Sequence, residues 1–187
     1  MKYPDGFTSQ ERSQFDFLNE NNRVTCAVEP EAMRHLPIVT SGDRRTGRER
    51  FRVLLGTAKI KGPRSAHILI KGVLEAGEEE LYGLYSEGVE EVTFDPTALR
   101  KYTRSIQKTP EYKELHYLGY IHTHPSGIAY PSQQDLESAV HEYKKGITSA
   151  NEPLIFGIAG FTKKNEPEHY IYRIVRVGDG YGFKRLD

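Results

Sequence analysis

The chain has 187 residues, of which 37% are hydrophobic and 28% charged, with Lys and Arg equal in number to Asp and Glu. That length supports one well-buried core rather than two, and zero net charge supplies no global field toward nucleic acid or a membrane. One cysteine, Cys26, excludes an intrachain disulfide and any cysteine-rich zinc site.

Residues 1–23 read as an N-terminal helical extension and 24–187 as the main domain. The first helix is expected from Phe7 to about Asn21, because Thr8 with Glu11 makes a capping-box pattern and Phe15 and Leu18 share a face. The N-terminus has no apolar h-region. The longest apolar stretch, Pro153 to Phe161, is much shorter than the roughly 20 residues of a bilayer span. A cytoplasmic protein with no membrane partner is expected. Val24–Val28 reads as a short strand in which Cys26 is a buried, inert thiol. Pro30 starts a brief helix through Leu36, and Ser41-Gly42-Asp43 reads as polar loop.

Phe51–Ile60 and Ala66–Leu74 are strand-like runs around the turn residues Gly62-Pro63-Arg64-Ser65, which predicts a hairpin. Ala76–Glu91 reads as an excursion from the sheet, and Val92-Thr93-Phe94 as a strand stopped by Asp95-Pro96. A helix is expected over Thr97–Lys108, then a strand over Tyr117–His122. Leu136, Ala139, Val140 and Tyr143 follow the i, i+3, i+4, i+7 spacing of an amphipathic helix closed by Lys144-Lys145-Gly146. Leu154–Phe161 and Tyr170–Val177 finish the chain as strands. The class is α/β: a mixed, curved, largely antiparallel sheet with flanking helices.

Charge is uneven along the chain. Arg44, Arg45, Arg48, Arg50 and Arg52 crowd one stretch, while Glu75, Glu78, Glu79, Glu80, Glu87, Glu90, Glu91 and Asp95 crowd another. The plain reading of both is a solvated surface.

Chemistry is concentrated in Gly119-Tyr120-Ile121-His122-Thr123-His124-Pro125-Ser126-Gly127 and the residues up to Asp135. Histidines at i and i+2 of a strand point to one face, about 6–7 Å apart at Cα, which suits two imidazoles meeting one metal ion. Pro125 stops the ladder, so the metal would lie at the strand's open end. Asp135, on the first turn of the following helix, supplies a third ligand. Three protein ligands with one open position is the pattern of a catalytic zinc site. Asp135 also has a plain helical role, because Ser132 and Asp135 together make a capping box. His35, His67, His116, His141 and His169 show no ligand spacing.

This segment resembles the JAMM (MPN+) metalloproteases, whose signature is a distant Glu, then HxH, ten residues and Asp. Ten residues separate His124 from Asp135, Pro125 follows the second histidine, and Ser132 lies three before the aspartate. The segment is similar to that of AMSH-type deubiquitinating enzymes, and its PSG and PS elements are similar to those of RadC-like proteins. The resemblance implies a cytidine-deaminase-like α/β fold and one Zn²⁺ on His122, His124 and Asp135. It also implies a glutamate as acid/base and Ser132 as an oxyanion-holding residue. Glu49 fits the family's ExxGxLxG frame through Glu49-Arg50-Phe51-Arg52-Val53-Leu54-Leu55-Gly56, although Arg52 replaces a Gly and Glu49 precedes His122 by 73 residues. Glu80-Leu81-Tyr82-Gly83 is the rival frame. The implied activity is a metallo-isopeptidase that cleaves ubiquitin or a ubiquitin-like partner from a lysine or a fusion. Two alternatives are a RadC-like nucleic-acid-associated protein and a structural zinc domain. Zero net charge and the lack of a DNA-binding motif weigh against the first.

Overall fold

The computed structural model describes residues 15–74, 85–87, 92–94, 101–102, 104–106, 108–125, 127, 129–145, 153–162 and 166–186. Strands β1 (Arg23–Val28), β2 (Phe51–Gly62), β3 (Ser65–Leu74), β6 (His116–Thr123), β7 (Ile155–Phe161), β8 (Pro167–Val177) and β9 (Gly180–Arg185) form one sheet. Their order is β1-β3-β2-β6-β7-β8-β9. β4 (Tyr85–Glu87) and β5 (Val92–Phe94) pair separately as an antiparallel ribbon. The helices are α1 (Pro30–Met33), α2 (Ser41–Thr46) and α3 (Gln133–Lys144).

The sheet is mixed. β2–β3, β2–β6, β7–β8 and β8–β9 run antiparallel, whereas β1–β3 and β6–β7 run parallel. A parallel pair needs a crossover, and α3 supplies it between β6 and β7. The start of α3 therefore lies near the carboxyl end of β6, where open α/β sheets collect their functional groups.

The central strands are buried on both faces, which explains why β7 reads Ile155-Phe156-Gly157-Ile158-Ala159 without polar alternation. One face carries Phe51, Val53, Leu55, Tyr120, Phe156 and Ile158, with Ala139 of α3 over them. The other carries Leu54, Ile68, Ile70, Leu118, Ile121 and Ile155, with Ala32 and Leu36 at α1. Between Leu54 and Leu55 the pairing of β2 with β6 slips: Leu54 faces Gly119, but Leu55 faces Tyr117. Gly119 occupies this irregularity at φ 144°, where an added Cβ would stand 1.8 Å from the Ile155 carbonyl oxygen.

Several sequence expectations change. The described part of the first segment, Phe15 to Asn22, forms turns and one isolated bridge, not helix; residues 1–14 lie outside the described residues. Turns satisfy the same spacing by sending Phe15 to one face of the sheet and Leu18 to the other. Ser41-Gly42-Asp43 is not loop but the start of α2, and the unexpected β9 pairs with β8. The hairpin, α1, α3, β1, β5, β6, β7 and β8 agree with their predicted places, whereas β4 is a strand within the stretch read as an excursion. Of the helix expected over Thr97–Lys108, the described positions 101–102 and 104–106 are helical. Most of the acidic excursion, including Glu80, lies outside the described residues. No helix among the described residues is long and apolar enough to cross a membrane.

Candidate metal centre

His122 sits near the end of β6, opposite Phe51 of β2, and His124 follows just past the strand. The backbone stays in register there, with the His124 N–H donating to the Ala159 carbonyl at 2.8 Å. This preserves the strand-like alternation that turns both imidazoles the same way. Their centroids are 4.8 Å apart and their Nε2 atoms 2.9 Å. The His122 ring packs edge-on against Phe156 at 5.1 Å and lies 6.4 Å from Tyr120. Its buried Nδ1 has no hydrogen-bond partner among the described residues. Aromatic packing therefore orients this ring, in place of the hydrogen bond that usually steers a metal-binding histidine.

Asp135 closes the pair from the first turn of α3. Its Oδ1 lies 3.1 Å from His122 Nε2 and its Oδ2 lies 3.4 Å from His124 Nε2. The cap of α3 aims it: Ser132 Oγ accepts from the Asp135 N–H at 3.1 Å, and the Ser132 N–H donates back to Oδ2 at 2.5 Å. Burial opposes ionisation of Asp135, but the two histidines and the Ser132 N–H outweigh it and hold the carboxyl well below the usual range. Ser132 itself is exposed. The preceding loop is pinned by the Tyr172 hydroxyl, which donates to the Ala129 carbonyl at 3.0 Å.

Glu49 arrives from the other side of the sequence. It is 8% exposed, and one ligand atom each from Glu49, His122 and His124 lie within 4.8 Å of one another. These three residues can hold a metal ion. Asp135 touches the same two nitrogens, so two carboxylates converge on one pair of imidazoles. The Nε2–Nε2 separation of 2.9 Å and the Asp135 contacts, Oδ1 to His122 at 3.1 Å and Oδ2 to His124 at 3.4 Å, are near the ligand spacing around one tetrahedral zinc. Ligands about 2.0–2.1 Å from the metal would stand roughly 3.3 Å apart.

The fold thus brings together Glu49, His122, His124, Asp135 and Ser132. The other sequence candidate, Glu80, lies outside the described residues. Sequence reasoning missed Thr123, whose hydroxyl accepts from the Arg50 N–H at 2.8 Å, and Asp43, which takes the Arg50 guanidinium at 3.0 and 3.2 Å. Thr40-Ser41-Gly42-Asp43 carries the capping pattern that could have revealed the latter. The arginine-rich stretch is largely committed to the fold: Arg50 pairs with Asp43, Arg52 is buried, and Arg44 stacks over Phe161 at 4.1 Å. Cys26 is half-buried, with its thiol pushed up to about 12 by burial, as an inert cysteine requires.

A two-histidine, two-carboxylate cluster at the carboxyl end of a central strand, on a mixed curled sheet, defines a candidate metallo-domain of the α/β class. The family comparison is specific: residues 34–177 match the model for prokaryotic homologs of the JAB domain, Prok-JAB, and the chain belongs to that family. A structure solved in solution of a Desulfitobacterium hafniense protein is similar with a TM-score of 0.49 and 17% identity, over 88% of this chain and 91% of that one. No curated protein sequence matches.

Proposed function

We propose that this protein is a zinc-dependent amide hydrolase whose substrate is an isopeptide or fusion bond formed by a ubiquitin-like modifier. In this reading His122, His124 and Asp135 hold the ion and Glu49 is the acid/base. The observation that carries it is the gathering of the two imidazoles, whose Nε2 atoms are 2.9 Å apart, with two carboxylates of unlike setting. Asp135 bonds both rings and stays ionised, as a ligand must. Glu49 belongs to the same cluster but enters from a separate segment before β2, and in this reading it serves protons instead of the ion.

When bound, zinc supplies Lewis acidity that activates water at neutral pH. Glu49 takes the proton of the attacking water and hands it to the departing nitrogen. The Ser132 hydroxyl donates a hydrogen bond to the carbonyl oxygen as that oxygen gains charge. Capping α3 uses a lone pair on the Ser132 oxygen, so the hydroxyl proton remains available for this task. The aromatic floor of Tyr120 and Phe156 keeps water from one side of the site.

The test pairs metal analysis with cleavage of a ubiquitin C-terminal fluorogenic amide and of a ubiquitin-like fusion. About one zinc per chain is expected. Glu49→Gln should keep the zinc and lose roughly 10²–10⁴-fold in rate, while Glu80→Gln changes little. Zinc-free wild-type protein, even after refolding in zinc, or full activity in Glu49→Gln, would refute the assignment.

A further inference from the structure

The proposed role of Glu49 raises a physical question, because the residue precedes β2 and its carboxylate must be held to within a fraction of an ångström. Its two neighbours answer it. The Arg48 N–H donates to the Asp43 carbonyl at 3.2 Å. The Arg50 guanidinium forks onto the Asp43 carboxylate, Nε to Oδ2 at 3.0 Å and Nη2 to Oδ1 at 3.2 Å. Arg50 is also tied by its backbone to the residue between the two histidines. Its N–H donates to Thr123 Oγ1 at 2.8 Å, and its carbonyl accepts from the Thr123 N–H at 3.0 Å. Glu49 is thus bracketed on both sides.

Asp43 is itself fixed. It is 3% exposed, sits at the third position of α2, and accepts from the Thr40 N–H at 2.8 Å and the Thr40 hydroxyl at 2.6 Å. Its own N–H donates to Thr40 Oγ1 at 3.1 Å. Gly47 ends α2 at φ 69°, a left-handed turn that leads the chain toward Glu49. A bidentate arginine–carboxylate fork on a buried acid is geometrically specific in a way that a surface ion pair is not.

We infer that Asp43, Arg50 and Thr123 are positioning residues: they hold Glu49 against the histidine pair by fixing the backbone on either side of it. The inference rests on Glu49 acting at that site. None of the three touches the reacting atoms. Asp43→Asn keeps the helix cap but weakens the fork, Arg50→Lys keeps the charge but cannot fork, and Thr123→Val keeps the shape but loses the hydroxyl.

The experiment is a double-mutant cycle on the full chain, read by zinc affinity and, where the ubiquitin fluorogenic amide is cleaved, by kcat and KM. A carboxylate beside a cation contributes to its binding, so Glu49→Gln should weaken zinc affinity by about 10-fold. Asp43→Asn and Arg50→Lys should reproduce part of that loss. Both should add little once Glu49→Gln is present, because coupled residues are non-additive. With the amide substrate, kcat should fall roughly 10–100-fold while KM stays within about 2-fold. Thr123→Ser should restore what Thr123→Val loses. If Asp43→Asn and Arg50→Lys leave affinity unchanged, or weaken it equally with and without Glu49, positioning is overturned while the role of Glu49 stands. If Glu49→Gln alters neither affinity nor rate, the reading of Glu49 fails and takes the inference with it. The affinity cycle needs no substrate, so it decides the matter even if the amide is not cleaved.

Discussion

Arg173 on β8 offers a direct measure of how the N-terminal turn is held. Its side chain is 2% exposed, and both terminal guanidinium nitrogens donate to backbone carbonyls. Nη1 donates to Phe17 and Asn19, and Nη2 to Asn19 at 3.1 Å, Glu20 at 3.5 Å and Asn22 at 2.8 Å. Burial pulls its pKa down from the usual arginine value, with Asp16 opposing that shift, and Nε has no partner among the described residues. Arg173→Met keeps most of the apolar stem and removes every donor. Asn19 and Glu20 are exposed, so water can replace the lost bonds there, whereas Phe17 and Asn22 are buried. Two buried acceptors left unsatisfied cost roughly 1–3 kcal/mol each. Relief of the poorly solvated guanidinium returns part of this, and a net loss of about 3 kcal/mol is expected, at the lower edge of what breaking a buried charged pair costs. For a domain of this size that is a fall in Tm of about 6–12 °C. Circular-dichroism melts would measure it, with hydrogen exchange at 15–22 as a local readout. A Tm within about 2 °C of wild type would refute the reasoning, since it would mean those carbonyls find water as readily as arginine.

Two further outcomes follow from Glu142 within α3 and Ser132 at its cap. Glu142 is fully buried, accepts the Tyr117 hydroxyl at 2.6 Å on one oxygen, and is pushed up to about 8 from 4.5 by burial, which the Tyr117 bond only partly opposes. The unfolded chain therefore releases this proton at lower pH than the folded one, and wild-type stability should fall between about pH 4.5 and 8. That slope is at most about 1.4 kcal/mol per pH unit, so in urea unfolding Glu142→Gln should gain on wild type across that window; a difference independent of pH would contradict it. Ser132→Ala removes the cap acceptor of α3 and should cost about 1 kcal/mol, or about 2–4 °C in Tm, with no larger loss; an unchanged melt would mean that the cap contributes nothing.

Much of the candidate metal cluster was legible because strand periodicity dictates that residues two apart share a face, and bringing His122, His124 and Asp135 together needed only that rule and a helix start. The choice of Glu49 came from the family frame, since composition offered many glutamates and no local rule to rank them. What stayed hidden was non-local or weakly patterned. Helix α2, Ser-Gly-Asp-Arg-Arg-Thr, has no apolar stripe, and it is held by its cap and by buried Asp43. β9 interleaves glycines with Tyr181 and Phe183, and its stability comes from pairing with β8 and from Phe183 stacking on Phe156 at 5.0 Å. The parallel docking of β1 on β3 depends on a register that no hairpin signal announces. At the N-terminus, a three-residue spacing served turns as well as it would have served a helix.

The slip at Gly119 has a consequence best put as odd and even. Leu115 and Tyr117 pack on the α3 side of the sheet, and so do Tyr120 and His122, although seven steps separate Leu115 from His122. In a strand of plain alternation an odd count exchanges sides, which would set His122 beside Leu118 on the α1 side. One surplus residue restores the parity. Only glycine fits there, because φ is 144° and the Ile155 carbonyl occupies the space of a Cβ. Deleting or adding a single residue between Tyr117 and Tyr120 would leave both strands intact and turn the imidazoles away from Asp135.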